Sequence, residues 1–183
     1  MLSRYEADRH FPPQAPALLF GAEDQQRAYD LYGSNCGPGA IAGICGTTPE
    51  HVVGMLGEKF QKIRGTTEIM LRATLDQLGV RWEDVPAGWP DYGIARVQWG
   101  GPWLYSDDPF EKLRHSHWIG VATRGLPNVM IFDINAIGVG GWISLAEWDD
   151  LVIPWLLEAC EPEATGEWWI SETLKIHPSS VSK

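Results

Sequence analysis

Apolar residues recur at helical spacing in the first half of the chain and gather into short runs in the second. Residues 1–30 are polar, with Pro and Ala interspersed, and predict an extended arm that wraps the domain. The segment SNCGPGAIAGICG then switches to small apolar residues. Ser34 or Asn35 can cap a helix starting near Cys36. Pro38 is tolerated in its first turn, where the missing N–H has no intrahelical acceptor to lose, and Gly46 ends it. TTPEHVVGMLGEKF predicts a second helix, with Thr48 as N-cap and Pro49 at the first helical position. TTEIMLRATLDQLGV predicts a third, capped by Thr67, with Ile69, Leu71, Leu75 and Leu78 near helical spacing and Gly79 closing it.

Beyond Val80 the pattern changes. Residues 80–114 mix Gly, Pro and Trp with short apolar runs such as IARVQW, and read as strands and loops. HWIGVAT (117–123) and NVMIFDI (128–134) favour strands, and Gly125-Leu126-Pro127 between them predicts a hairpin. AIGVGGWIS is a glycine-rich loop leading into another short strand. SLAEWDDLVIPWLLEAC is helical in part, with Pro154 as a kink or break. EWWISETLKI predicts a final strand, and PSSVSK a frayed end. The expectation is one domain over 1–183: an arm (1–30), a helical part (31–80), a mainly β part (81–176) and a tail (177–183). Helices before strands favour α+β over alternating βαβ units.

Composition narrows the function classes. With 14 Lys and Arg against 24 Asp and Glu, the formal net charge is −10, so a nucleic-acid partner is not expected. No run approaches the roughly 18 consecutive apolar residues of a membrane span. MLSRYEADRHFPP has no apolar core of a signal peptide, which makes a reducing cytoplasmic setting the default expectation. The ten tryptophans fall between Trp82 and Trp169 and suit an aromatic-rich core or a partly Trp-lined ligand groove. The cysteines Cys36, Cys45 and Cys160 are odd in number and include no CxxC, which disfavours a disulfide scaffold or a thiolate zinc site.

The chemistry gathers around Cys36. A thiol is a strong nucleophile only as thiolate, and a helix N-terminus lowers its pKa through free N–H groups and the helix dipole. Gly37, Gly39, Ala40, Ala42 and Gly43 would let that helix pack close to a sheet. A thiolate needs a base. His117 opens a predicted strand and is placed to project into a cleft. The imidazole in turn needs a partner to fix its tautomer and stabilise its cation. Asp133 ends the next predicted strand, 16 residues after His117, and Asn135 could serve instead. Taken singly, each has an ordinary explanation: a structural cysteine, a core histidine, a strand-ending aspartate.

Together, NCGPGAIAGI resembles the nucleophile helix of papain-like cysteine peptidases, most closely the bacterial branch similar to bacteriocin-processing peptidases. HWIGV resembles that branch's His-Trp-hydrophobic strand, IFDIN the strand that ends in the third catalytic residue, and GGWISLAEWD, more loosely, the element that follows. The likeness covers roughly residues 30–150. It implies a papain-like fold, with the Cys helix packed on an antiparallel sheet, and a Cys36-His117-Asp133 triad. The activity it implies is peptide or isopeptide cleavage of a peptide or protein substrate through a thioester, with no metal or organic cofactor. The family also carries a Gln shortly before the nucleophile that helps bind the oxyanion. The matching position here is near Asp30, whose carboxylate would repel that charge. Asn35 or an upstream Gln25 or Gln26 would then supply the amide, beside the Cys36 backbone N–H.

Two other uses of the same residues follow: amide hydrolysis, deamidation or acyl transfer without proteolysis, and peptide binding by a catalytically degenerate member. A metal reading would use the His115/His117 pair with Asp133 or Cys36. His115 is also an alternative base. Cys45, nine residues after Cys36, is expected to be buried and inert, and Cys160 has no evident partner. GVGG (138–141) lacks the GxGxxG fit of a phosphate loop and reads as a flexible or close-packing loop.

Overall fold

Near Val80, where the apolar spacing changes, the backbone changes from helix to strand. A computed structural model describes residues 12–63 and 65–177. Four helices come first: α1 (Ala22–Tyr32), α2 (Cys36–Cys45), α3 (Pro49–Ile63) and α4 (Glu68–Gln77). The expected arm is therefore helical from residue 22 onward, and residues 1–11 lie outside the described residues. AEDQQRAYDLY holds no Gly or Pro, and Asp24 accepts the Gly21 N–H at 2.9 Å across the helix start. The helix is mostly polar and buries little beyond Ala28, so its apolar stripe is too thin to read from spacing.

The caps of α2, α3 and α4 match the local chemistry. Asn35 is the N-cap of α2, and Gly46 at φ 69° ends it. The Thr67 hydroxyl accepts the Met70 N–H at 3.3 Å, and Gly79 at φ 68° follows the end of α4. Ile69 is exposed, so the buried stripe of α4 runs through Met70, Leu71, Thr74 and Leu75 instead. α3 is broken at Gly57, which sits in the left-handed region.

The strands β1 (Arg81–Val85), β2 (Tyr92–Trp99), β3 (Ser116–Ala122), β4 (Met130–Phe132), β5 (Trp142–Ser144) and β6 (Trp168–His177) form one antiparallel sheet. Its order is β1-β6-β2-β3-β4-β5. A short 3-10 turn (Pro102–Tyr105) and α5 (Pro109–Arg114) join β2 to β3. β6 takes up His177, and the rest of the expected tail lies outside the described residues.

Strand alternation divides the core in two. Ile94, Trp118, Phe132, Trp142 and Leu174 face α2, α3 and α4. Ala95, Val97, Ile119, Val121, Ile131 and Ile143 face the other way. That second face is covered by α6 (Leu145–Glu147), a π-helical turn (Trp148–Val152) and α7 (Ile153–Ala159). Helices therefore sandwich the sheet, and the helical segment expected within SLAEWDDLVIPWLLEAC supplies the second layer. Pro154 does not end this segment. It sits in the first turn of α7, after the π turn, where Ile153 N–H bonds back to Trp148 O.

α2 lies very close to the sheet. A Cβ on Gly43 would fall 2.4 Å from the Phe132 ring, and one on Gly120 2.8 Å from Ile44 Cδ1. Ile41 and Ile44 are buried, and each contributes about 1.5–3 kcal/mol relative to exposure. The helix that carries Cys36 is thus fixed against β3 and β4. Trp99, Trp103, Trp118, Trp142 and Trp148 are all buried, so the tryptophans mainly build core. The fold is α+β. Among the described residues no helix is long and apolar enough to cross a membrane.

Candidate active site

Hairpin register brings His117 and Asp133 together. β3 and β4 pair from Ala122↔Met130 to Gly120↔Phe132. Continued by three residues, that register would set Asn135 opposite His117, so Asp133 is the diagonal neighbour of His117 on the same face. Instead of continuing, the chain turns at Asp133 into a 3-10 segment (Ile134–Val139). Gly141 closes this loop, and its carbonyl accepts the Asp133 N–H at 3.0 Å. The GVGG stretch is thus a close-packing loop. Gly141 has φ 76°, and a Cβ there would sit 2.5 Å from the Phe132 ring.

Asp133 is fully buried and accepts four hydrogen bonds. His117 Nε2 and Trp148 Nε1 donate to Oδ2, each at 2.8 Å. The backbone N–H and Nδ2 of Asn135 donate to Oδ1, each at 2.9 Å. Burial alone would push the Asp133 carboxyl up. The charge and hydrogen bond of His117, helped by Trp148 and Asn135, outweigh it and hold the carboxyl below its ordinary value. Asn135 therefore orders Asp133 through its backbone N–H and its side-chain amide.

His117 is buried, and its Nε2 carries the proton because an ionised carboxylate can only accept. Its other nitrogen, Nδ1, is not used by Asp133 and is left for the Cys36 thiol, which lies close enough to act on the imidazole. Burial would depress the imidazole. Asp133, first by charge and then by hydrogen bond, and Cys36 raise it well above its ordinary value.

Cys36 opens α2 and is partly exposed. Burial would raise the thiol, but the His117 hydrogen bond and charge, and a hydrogen bond from the Trp118 backbone N–H, hold it below its ordinary value against the opposing charge of Asp133. Pairing of β3 with β4 stops at Gly120, which leaves the outer backbone edge of Trp118 open to the tip of α2. The three groups form one chain: thiol, imidazole, carboxylate.

The amides proposed upstream are placed differently. Gln26 is exposed on α1, where its Nε2 donates to Asp30 Oδ1 at 2.8 Å. Both side chains thus satisfy each other at the surface, and the leading charges on Cys36 come from His117 and Asp133. Asn35 is buried, and its side chain makes no capping bond to α2.

His115 is not paired with His117. Its ring stacks on Trp103, with centroids 3.8 Å apart, and its Nδ1 hydrogen-bonds Glu161. It is thereby engaged away from the thiol, and the alternative base and the HxH metal reading lose their geometry. Among the described residues no three His, Cys, Asp or Glu side chains form a metal-ligand group. Cys45 is half-buried rather than enclosed, and burial pushes its thiol up to about 12. Cys160 is exposed at the end of α7. Its thiol is raised, by burial first, with the nearby charges of His117, Glu161 and Cys36 also acting on it.

Trp148 was not visible as a site residue in the sequence. The signal available was the Ser144-x-x-Glu147 capping box, which fixes a helix start just before Trp148. Thr66 is another. Its carbonyl accepts Trp118 Nε1 at 2.9 Å, and its hydroxyl packs where a Gly37 Cβ would lie. No protein-family model matches the chain, and no curated protein sequence matches it significantly.

Proposed function

We propose that this chain is a papain-like cysteine hydrolase of the bacteriocin-processing peptidase type, cleaving a peptide or isopeptide bond by acyl transfer. The observation that carries the reading is the 2.8 Å bond between His117 Nε2 and Asp133 Oδ2, which leaves the second ring nitrogen for Cys36.

In this reading His117 Nδ1 takes the Cys36 proton and the thiolate attacks the substrate carbonyl carbon. The C=O π pair moves to oxygen. The tetrahedral intermediate collapses to a thioester as the C–N bond breaks, and imidazolium protonates the leaving amine. Water, deprotonated by the same nitrogen, then attacks the thioester, and thiolate leaves. Asp133 stays ionised throughout. It fixes the tautomer and stabilises the imidazolium, and burial under Trp148 keeps that interaction in a low dielectric. The chain's own side chains supply every proton transfer.

A peptide library incubated with the protein should show new N-termini with the wild type and none with Cys36→Ala. If Cys36 acylates but no new N-termini form, proteolysis gives way to side-chain amide hydrolysis or acyl transfer by the same groups.

A further inference from the structure

The first turn of α2 leaves two backbone donors without an intrahelical acceptor. The N–H groups of Cys36 and Gly37 have no intrahelical acceptor, Pro38 has no N–H, and Gly39 N–H already bonds Asn35 O at 2.8 Å. An N-cap asparagine ordinarily accepts from the third helical N–H through Oδ1. Here that position is Pro38, and no such bond forms. The Asn35 side chain is nevertheless only 7% exposed, and its Nδ2 has no hydrogen-bond partner among the described residues. A second buried donor without a partner there, Thr66 Oγ1, packs against Gly37. Buried donors without acceptors are destabilising, and they persist where a ligand supplies the acceptor.

We propose that the Asn35 side-chain amide, with the Cys36 backbone N–H, forms the oxyanion hole, in place of an upstream glutamine. The inference rests on the acyl-transfer reading above. When thiolate sulfur bonds to the carbonyl carbon, the oxygen takes the π pair and becomes an anion beside the open end of α2. Nδ2 then gains the acceptor it lacks in the free protein, so the interaction strengthens as charge develops. Asp30 and Gln26, satisfied by each other on α1, take no part.

Two probes of Cys36 separate this role from nucleophile activation. p-Nitrophenyl acetate acylates the thiolate through a tetrahedral oxyanion and expels p-nitrophenolate. Iodoacetamide alkylates it by direct displacement of iodide, with no oxyanion. Asn35→Ala should slow the p-nitrophenolate burst about 10²–10³-fold and leave alkylation of Cys36 at its wild-type rate. Asn35→Ser, which keeps a capping residue but withdraws the amide, should behave the same and guards against loss of the fold. Unchanged acylation in either folded variant overturns the inference, as does an equal fall in both reactions or a wild type that alkylates at Cys36 without an acyl burst. A wild type in which Cys36 alkylates no faster than Cys45 and Cys160 instead refutes the triad itself.

Discussion

Trp148 and His117 donate to the same oxygen of Asp133, each at 2.8 Å. One donor comes from the segment after β5 and the other from β3, so the carboxylate joins the two faces of the site. Trp148→Phe keeps the ring in the core but deletes its N–H. The variant should lose about 1–3 kcal/mol of stability, since a buried carboxylate oxygen loses a donor. Chemical denaturation measures this, and a change below 0.5 kcal/mol, roughly the scatter of neutral surface substitutions, would refute the bond's importance.

Asp133→Asn tests the orienting role. An amide can present an N–H to His117 and favour the wrong tautomer, and it also removes the charge that raises the imidazole. Acylation of Cys36 by p-nitrophenyl acetate should fall by about 10²–10⁴. Activity within threefold of wild type would show that His117 needs no carboxylate.

Close approach of α2 to the sheet has its own test. Gly43→Ala places a methyl against the Phe132 ring, and overpacking of this kind is destabilising by about 1–3 kcal/mol. The Tm should drop accordingly. A neutral substitution would mean that α2 sits further from β4 than described.

Glu172 gives a second pH dependence, in stability. It lies on β6 near Glu68 and accepts from Arg72 at 2.5 Å, while Arg96 bridges to Glu68. Burial, then the neighbouring Glu68, push its carboxyl up to about 7 despite both arginines. A raised acid binds its proton more tightly folded than unfolded. Its stabilising effect is therefore full below the ordinary carboxyl value and is lost as pH rises toward 7. Glu172→Gln should accordingly gain stability relative to wild type between pH 5 and pH 8, read from Tm at both. A variant that falls further behind at pH 8 contradicts the assignment.

Much of this was legible because it is local. Thr67, Gly46 and Gly79 mark helix ends by their own conformational chemistry, and the hairpin length sets His117 diagonal to Asp133. What spacing could not show depends on tertiary contact. α1 is polar and becomes a helix through its caps and good helix formers. Trp148 reaches Asp133 only because a late helical segment crosses the second sheet face. His115 and His117 look like a pair in sequence, yet Trp103 and Glu161 hold His115 elsewhere. Asn35 stands next to Cys36 in the sequence, but the lack of a partner for its Nδ2 is visible only in three dimensions.

The central claim is that His117 and Asp133 activate Cys36, and the pH profile of its alkylation by iodoacetamide tests it most directly. In the wild type the midpoint should lie below the ordinary thiol value of about 8.5, with Cys36 modified ahead of Cys45 and Cys160, whose thiols are raised. In His117→Ala burial acts unopposed by the imidazole, and the midpoint should move above that value. A wild-type midpoint at or above the ordinary value, or one that His117→Ala leaves in place, would contradict the account.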